Sequence, residues 1–429
     1  MYRPVYAVEV SVWGQKVGAV ALEPRLRRYA FEYAPDFIKK GVELAPLTMP
    51  LAQAREPFVF TDLPEATYRL LPALLADALP DDFGNALVNR WMAIHGVRPK
   101  NITALDRLAY MGKRGMGALE FRPARGPSVQ KSSAISLSGL VETARRAVCG
   151  QLDSGDMAQA ALAQIIRVGT SAGGARAKAV VAWNPQTDEI RAGQFEVDAG
   201  FEHWLLKFDG MGEDSELGGS QDYGRVEYAY FNMAVAAGMA MSPSRLLEES
   251  GRAHFMTKRF DRDGNRKHHM QTLCAMAHLD YKQKASHDYN QLFQTLDRLG
   301  LGYQDREETF RRMAFNVMAA NCDDHTKNFA FLLKQGEPWA LAPAYDVTHA
   351  HNPHGEWTHQ HLMSVNGKFR DITREDMLLV ADRFGIGTAN GVMERVAEAI
   401  AAWPDFAREA CVSSAECERI RMHHQVLRK

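Results

Sequence analysis

The chain has 429 residues, more than a single hydrophobic core ordinarily holds, so at about 150 residues per domain we expect two or three domains. Hydrophobic residues make up 46% of the chain and charged residues 24%, ordinary globular values that exclude wholesale disorder. The 51 basic and 52 acidic side chains nearly cancel, which argues against nucleic acid or a membrane surface as the main partner.

The five cysteines are widely spaced and include no C-x-x-C pair, which argues against a disulfide framework or a zinc finger and for a reducing compartment. The N-terminus lacks a basic segment followed by an apolar one, and no run of about 18 apolar residues occurs. These features predict a cytoplasmic protein.

The first part of the chain has the pattern of strands followed by helices. Apolar and polar residues alternate through VYAVEVSVWGQKVGAVAL, which predicts a hairpin, and YAFEYAPDF continues the strand pattern. Helical spacing follows in TYRLLPALLADAL and NALVNRWMAIHG; Thr103 and Asp106 then have the spacing of a capping pair, and GALEFRP closes the unit as a strand. We therefore predict a β-rich N-terminal subdomain over residues 1–125, ending at the linker-like RGPSVQKSSAIS.

The middle of the chain combines a glycine-rich loop with strands. Two predicted helices, LSGLVETARRAV and MAQAALAQIIRV, precede the loop and strand in VGTSAGGARAKAVVAW. Strands are predicted in GQFEVDAG and HWLLKFDG, a helix in RVEYAYFNMAVAAG, and a strand with a D-G turn in HFMTKRFDRDGNRK. This segment, residues 137–260, is the predicted nucleotide-binding lobe.

The last part, residues 261–429, is predicted to be a mostly helical lobe. Apolar stripes at helical period run through DYNQLFQTLDRLG and REETFRRMAFNVMAA, FAFLL and PWALAPAYDVT resemble a hairpin, and MERVAEAIAAW is helical again. The basic tail RIRMHHQVLRK is expected to be a solvated terminus.

Two features of the middle segment suit a phosphorylated ligand. In GTSAGGARAK, residues 169–178, glycines would let backbone N–H groups approach phosphate oxygens, although the loop taken alone is more typical of a plain tight turn. Lys207 lies on an apolar strand, where a kinase places the lysine that holds the α- and β-phosphates. Glu227, which opens the next helix, is the candidate counter-charge; a lysine snorkelling from an edge strand is the alternative.

The C-terminal part contains the second half of a kinase pattern. Asp323 and Asn328 in NCDDHTKNF have the D-x-x-x-x-N spacing of a kinase catalytic loop, in which the aspartate accepts the substrate proton and the asparagine binds magnesium. Asp346 in APAYDVT follows a predicted strand, and its carboxylate would complete a magnesium site with Asn328. The order of these features predicts an α+β, bilobal, protein-kinase-like fold that performs phosphoryl transfer.

GTSAGGARAK, KRFDR, NCDDHTKNF and APAYDVT together resemble the HipA family, the serine/threonine kinase toxins of bacterial toxin–antitoxin pairs. The resemblance implies an ATP- and Mg²⁺-dependent protein kinase with a HipB-like helix-turn-helix antitoxin as partner, DNA contacted only through that antitoxin, and an aminoacyl-tRNA synthetase as substrate. It places the catalytic base at Asp323 and the metal ligands at Asn328 and Asp346. It also implies autophosphorylation at Ser171, whose phosphate would repel the nucleotide.

The resemblance further implies the nucleotide-binding residues. These are Gly173, Gly174, Ala175, Arg176, Ala177 and Lys178 in the phosphate loop, Lys207, Lys258, Arg259 and Phe260 in the connecting segment, and His325, Lys327, Asn328, Tyr345 and Asp346. The sequence departs from the family pattern in the loop AGGARAK and at Asp324, an added charge beside the base that we expect to favour metal or to shift the pKa of the base.

Other functions stay open on the sequence alone. A small-molecule phosphotransferase of the antibiotic-kinase type shares D-x-x-x-x-N, and a co-repressor acting with a DNA-binding antitoxin would need no activity. Histidines are dense between residues 349 and 361, as in some zinc or nickel sites, but Pro353 and Gly355 mark the segment as a loop.

Overall fold

The fold described here comes from a computed structural model of the whole chain. It describes residues 3–80, 82–126, 139, 177–209, 222–249 and 251–427. The chain divides into two compact units. Unit 1 comprises Met1–Met211, Lys258–His278 and Leu332–Pro338, and unit 2 comprises Gly212–Thr257, Leu279–Phe331 and Trp339–Lys429.

Unit 1 begins with an antiparallel sheet of four strands: β1 (Ala7–Val12), β2 (Gln15–Glu23), β3 (Arg28–Tyr33) and β4 (Leu119–Arg122). Their order is β3-β2-β1-β4, with β1 and β2 joined by a turn at Gly14, whose φ is +73°. Alternate residues of β1 are buried, among them Val8, Val10 and Val12, as the alternation in the sequence predicts. The predicted hairpin and the closing strand are thus confirmed.

The helices of this part are α1 (Pro35–Ile38), α2 (Glu65–Tyr68), α3 (Ala73–Ala76), α4 (Asp82–Ile94) and α5 (Ala104–Met111). The capping pair is confirmed, because Thr103 Oγ1 accepts from Asp106 N at 3.1 Å while Thr103 N donates to Asp106 Oδ2 at 2.9 Å. The helical spacing predicted in TYRLLPALLADAL corresponds to two short helices, not to a continuous one. Arg69 and Leu70 take left-handed φ values of 51° and 65° just before Pro72, which breaks the segment into α2 and α3.

The strand β5 (Lys178–Trp183) pairs antiparallel with β6 (Ile190–Ala192) and β7 (Glu202–Lys207). The strand predicted in GQFEVDAG is wrong, since β6 ends before Gly193. Beyond it the chain is held by a side chain instead of a neighbouring strand: Asn265 accepts from Val197 N and donates to Val197 O, both at 2.9 Å. Such a contact satisfies the backbone as a ladder would.

Unit 1 closes with β10 (Arg262–Asp263), β11 (Arg266–Lys267), β12 (His269–Thr272) and α7 (Leu273–Met276). The hairpin of β10 and β11 confirms the predicted D-G turn. Asp261 is fully buried and accepts hydrogen bonds from Arg259 (Nε at 2.9 Å, Nη2 at 2.7 Å), Arg262 Nη1 at 2.7 Å and Gly117 N at 2.7 Å. This ion cluster ties the hairpin to the N-terminal subdomain.

Unit 2 contains the helical lobe. Its helices are α6 (Tyr223–Ala236), α8 (Tyr289–Arg298), α9 (Tyr303–Met318), α10 (Arg374–Arg383), α11 (Ala389–Ala401), α12 (Trp403–Glu409) and α13 (Ser414–Arg421). The apolar stripe of α9 is fully buried, as predicted: Phe310, Met313, Ala314, Val317 and Met318. The remaining strands are β8 (Ser244–Glu249), β9 (Arg252–Lys258), β13 (His287–Asp288), β14 (Ala330–Leu333), β15 (Trp339–Leu341) and β16 (Met363–Ser364).

The C-terminal tail is only in part the solvated terminus that its basic composition predicts, since Met422 and Val426 are exposed whereas its two histidines are half-buried. Gln425 N donates to Met318 O at 2.8 Å, which holds the tail against the end of α9. His424 Nε2 lies 2.9 Å from Tyr230 Oη, and His423 Nδ1 lies 3.0 Å from His349 Nε2. The tail packs because its two histidines provide polar atoms for this buried region.

Membrane-spanning segments and the two helices predicted before the glycine-rich segment can be compared only with the described residues. Across the described ranges, no helix is long and apolar enough to cross a bilayer. The two helices predicted between the linker and the glycine loop lie outside the described residues, except for Gly139.

Candidate active site

The segment predicted to be catalytic lies between α9 and β14 in unit 2. Residues 326–328 form a single turn of 3-10 helix, and Thr326 Oγ1 donates to Leu279 O at 2.6 Å. Asn321 Nδ2 donates to Asn316 Oδ1 on α9 at 2.9 Å. The loop is therefore anchored at both ends by side-chain hydrogen bonds, which position the polar residues between them.

The spacing of Asp323 and Asn328 has a direct geometric consequence. Asn328 folds back so that Nδ2 donates to the backbone carbonyl of Asp323 at 2.7 Å. This bond uses the amide nitrogen and leaves Oδ1 as the atom suited to a cation. The Asp323 side chain is 41% exposed, and its Oδ1 lies 3.8 Å from His325 Nε2. The loop thus presents a carboxylate at the surface while its backbone is held from within.

Asp346 belongs to a segment that is tied to the same loop. Ala350 N donates to Ala320 O and Cys322 N donates to Ala350 O, so residues 320–322 and 350 run side by side. Tyr345 Oη donates to the carbonyl oxygen of Lys327 at 2.6 Å. The residue before Asp346 is therefore bonded to the residue before Asn328.

The backbone at Asp346 is unusual for a residue with a side chain. Its φ is +56°, in the left-handed region, which aspartate tolerates better than most residues and which is common at functional sites. A carboxylate here and the Asn328 amide oxygen are hard oxygen donors of the kind that Mg²⁺ prefers. The residues present therefore fit the predicted metal.

Asp324 behaves differently from its neighbour. Its side chain is fully buried and accepts from Tyr289 Oη at 2.8 Å, His361 Nδ1 at 3.0 Å and Leu362 N at 2.7 Å. These hydrogen bonds anchor the loop to α8 and to residues 361–362. Sequence reasoning missed this role, because Tyr289 and His361 are more than 30 positions away and share no motif with the loop.

Two other predicted nucleotide contacts lie around Tyr281 in unit 2. The Lys327 ammonium lies 5.0 Å from the centre of the Tyr281 ring, and the His325 ring lies 5.3 Å from it. A cation over an aromatic face is attracted by the ring's negative face. Tyr281 therefore restrains the two side chains that flank Thr326, a contact that no sequence motif indicated.

The predicted nucleotide residues of unit 1 are only partly described. Ser171 and Gly173, Gly174, Ala175 and Arg176 lie outside the described residues. Ala177 is buried, as are Lys178 and Lys207, which stand opposite each other on β5 and β7. A lysine that is 8% exposed is not the snorkelling side chain considered above, so Lys207 occupies a buried strand position.

The predicted connecting segment has side chains with structural partners. Lys258 Nζ pairs with Glu202 Oε1 at 2.6 Å, and the Arg259 guanidinium is consumed by Asp261. Arg259 N donates to His203 O at 2.9 Å, and Phe260 is half-buried. Glu227 is buried in unit 2 and Lys207 in unit 1, and their pairing stays a prediction.

The dense histidines do not form a metal centre in the described part of the chain. No group of three or more His, Cys, Asp or Glu side chains there is placed to hold a metal ion. His349 contacts His423, His351 contacts Thr358 O, and His361 contacts Asp324. His359 Nδ1 lies 3.1 Å from Gly355 O.

Comparison with known proteins identifies the family. A model of the HipA-like C-terminal domain matches residues 170–404, and one of the HipA N-terminal domain matches residues 8–122. Together these cover most of the chain, so the protein belongs to the HipA family, as its sequence motifs predicted. No curated protein sequence matches it significantly.

A solved structure supports the fold, and a second matches it only weakly. A structure of HipA from Shewanella oneidensis, in complex with HipB and operator DNA, matches with a TM-score of 0.66 at 15% identity, covering 97% of this chain and 94% of that one. The Helicobacter pylori proinflammatory kinase CtkA matches with a TM-score of 0.35 at 12% identity, over 52% of this chain and 85% of that one. The Shewanella oneidensis match confirms the predicted α+β fold.

Proposed function

We propose that the protein is an ATP- and Mg²⁺-dependent serine/threonine protein kinase and the toxin of a toxin–antitoxin pair. The observation that carries the proposal is the 2.7 Å hydrogen bond from Asn328 Nδ2 to the Asp323 carbonyl. It places a half-exposed carboxylate and a metal-suited amide oxygen on one short loop, as phosphoryl transfer requires.

Each loop residue has a distinct task in this proposal. The Asp323 carboxylate accepts the proton of the attacking hydroxyl, for which its exposure suits it. His325, 3.8 Å from that carboxylate, orients it. Tyr345 holds the Lys327 carbonyl and so keeps the Asp346 segment against the loop. The Lys327 ammonium, above the Tyr281 ring, provides positive charge beside the reacting phosphate.

Asn328 and Asp346 would hold Mg²⁺, which when bound neutralises charge on the triphosphate. For the remaining nucleotide contacts we propose the residues that the family resemblance implies: the phosphate loop at 173–178, Lys207, and the segment 258–260. Because Lys258 and Arg259 are already paired with acidic side chains, we assign adenine recognition there to the backbone. The buried position of Lys207 suits a lysine that meets phosphates instead of water.

The biological assignments rest on family membership. The Shewanella oneidensis structure contains HipA, HipB and operator DNA, which supports a HipB-like antitoxin as partner of this chain. With 51 basic against 52 acidic residues, DNA contact would be supplied by that antitoxin. We further propose a cytoplasmic kinase that phosphorylates an aminoacyl-tRNA synthetase and limits itself by autophosphorylation at Ser171.

Radiolabelled ATP with cytoplasmic extract tests the activity. The wild type should label a protein, and Asp323→Asn should lower the rate about 10³-fold or more while binding nucleotide normally. The matched control is Glu356→Gln, an exposed carboxylate in the same unit that pairs with Lys284, which should label like wild type. Equal labelling by Asp323→Asn would remove the assigned base, and transfer to aminoglycosides instead of protein would favour the small-molecule phosphotransferase.

A further inference from the structure

One cluster beside the proposed catalytic base has no role in phosphoryl transfer. Cys322 precedes Asp323, is 4% exposed, and lies between two imidazole rings. Its Sγ is 3.7 Å from His351 Nδ1 and 3.9 Å from His361 Nε2. A buried cysteine ordinarily contacts apolar neighbours, so two polar rings at one sulfur indicate a different task.

The orientation of the His361 ring is fixed by a hydrogen bond on the side away from the sulfur. Its Nδ1 donates to the buried carboxylate of Asp324 at 3.0 Å, so Nε2 is the nitrogen that faces the sulfur. Asp324 itself is fixed by Tyr289 and by the backbone of Leu362. A carboxylate behind an imidazole stabilises the protonated ring, which can then stabilise a thiolate.

The electrostatics agree with this geometry. Burial raises the pKa of the Cys322 thiol, but His361 and His351 outweigh it and bring that pKa below its usual range. Burial lowers the pKa of His361, but the thiolate and the Asp324 carboxylate outweigh it and raise that pKa well above its usual range. Both shifts favour a thiolate–imidazolium pair over the neutral thiol and imidazole.

His351 supplies the second contact and the approach from outside. Its Nδ1 also lies 3.1 Å from the carbonyl of Thr358, so the N–H of this nitrogen points to both the oxygen and the sulfur. The ring is only half-buried, and the segment that follows it, through Asn352 and His354, is partly exposed. Because this side is the more exposed one, a small peroxide would approach Sγ here through a movement of the His351 ring.

We propose that Cys322 is a modification site for hydroperoxides, and that its oxidation to sulfenic acid inactivates the loop next to it. The thiolate sulfur attacks one peroxide oxygen, forming an S–O bond while the O–O bond breaks. The leaving hydroxide takes a proton from the His361 imidazolium and departs as water. Sulfur is oxidised by two electrons, and the peroxide is reduced to the sulfenate oxygen and water.

The added oxygen would sit beside the sulfur of a residue that is only 4% exposed. Sγ is buried at 3.7 and 3.9 Å from two rings, distances that leave no space for a further heavy atom between them. The oxidised residue must therefore shift, and it carries the backbone of Asp323 with it. This effect on activity rests on the proposed kinase function, whereas the oxidation chemistry does not.

The test uses the full chain treated with hydrogen peroxide and a sulfenic-acid trap, followed by peptide mass spectrometry. Cys417 is the internal control, because burial and the neighbouring Glu418 raise its pKa. At mildly acidic pH we expect trapping at Cys322 about tenfold faster than at Cys417. His361→Asn should slow trapping at Cys322 about tenfold by removing the imidazolium.

Activity is read separately on the same samples. Peroxide should abolish phosphate transfer by the wild type in step with trapping at Cys322, a thiol reductant should restore it, and Cys322→Ser should resist. Trapping at Cys322 no faster than at Cys417, or unchanged by His361→Asn, would overturn the proposal. Trapping without any change in transfer would overturn the switch, and an inactive wild type that still traps at Cys322 would refute only the kinase.

Discussion

Two neighbouring aspartates allow a sharp test of how the loop is built. Asp323 is 41% exposed, whereas the Asp324 side chain is fully buried and accepts three close hydrogen bonds, from Tyr289, His361 and Leu362. Replacing each by asparagine changes the same atoms at adjacent positions. We expect Asp323→Asn to lower the catalytic rate about 10³-fold or more at unchanged stability, and Asp324→Asn to lower stability.

The magnitude follows from the contacts. A hydrogen bond to a charged group contributes about 1.5–3 kcal/mol. The side-chain oxygen of an asparagine would keep the bond from Leu362 N, but its N–H₂ group would face Tyr289 Oη and His361 Nδ1, which are themselves donors. Leaving one buried partner unsatisfied and losing the ion pair with His361 should cost about 3 kcal/mol in the free energy of unfolding. In a unit of this size that is a fall of about 6–12 °C in Tm.

The assay is thermal unfolding of both variants followed by near-ultraviolet circular dichroism. Asp323→Asn should lie within about 0.5 kcal/mol of wild type, because its side chain is 41% exposed. A Tm for Asp324→Asn within about 1 °C of the Asp323→Asn value would refute the anchoring role of the buried carboxylate.

Four further predictions test other parts of the molecule. Asp261→Ala should cost about 3–5 kcal/mol in the free energy of urea unfolding, because it leaves two buried guanidinium groups without their carboxylate. The control Asp263→Ala, at an exposed position on the same hairpin, should be near neutral. Equal urea midpoints for the two variants would contradict the stabilising role of the ion cluster. Burial lowers the pKa of His424 from 6.5 to about 4, so its stabilising contribution is present above pH 6.5 and lost as pH falls towards 4. His424→Gln should therefore reduce the acid-induced fall in Tm. An unaltered dependence of Tm on pH would exclude this role for His424. Tyr345→Phe, which deletes the hydroxyl bonded to the Lys327 carbonyl, should lower kcat about tenfold with little change in stability, and wild-type kcat would show that this tether is dispensable. Ser171→Ala should abolish self-labelling from radiolabelled ATP while substrate labelling persists; undiminished self-labelling would place the site elsewhere.

Features that depend on neighbours within a few residues were readable from the sequence. The capping pair of Thr103 and Asp106 and the buried stripe of α9 follow from helical spacing, and both are present. The motif that begins at Asp323 likewise predicts a loop in which Asn328 turns back, as the bond to the Asp323 carbonyl shows. In each case the local geometry of a helix or turn brings together residues that are only a few positions apart. Their spacing along the chain is therefore enough to predict the contact.

Features that depend on distant partners were decided only by the tertiary structure. Asp324 became an anchor because Tyr289 and His361, 35 and 37 positions away, meet at its carboxylate. The strand expected after Gly193 is absent because the Asn265 side chain takes the place of a neighbouring strand, and the basic tail packs because its histidines find buried polar atoms. A buried polar group must be satisfied by whatever the fold brings near it, and no local pattern encodes a partner dozens of residues away.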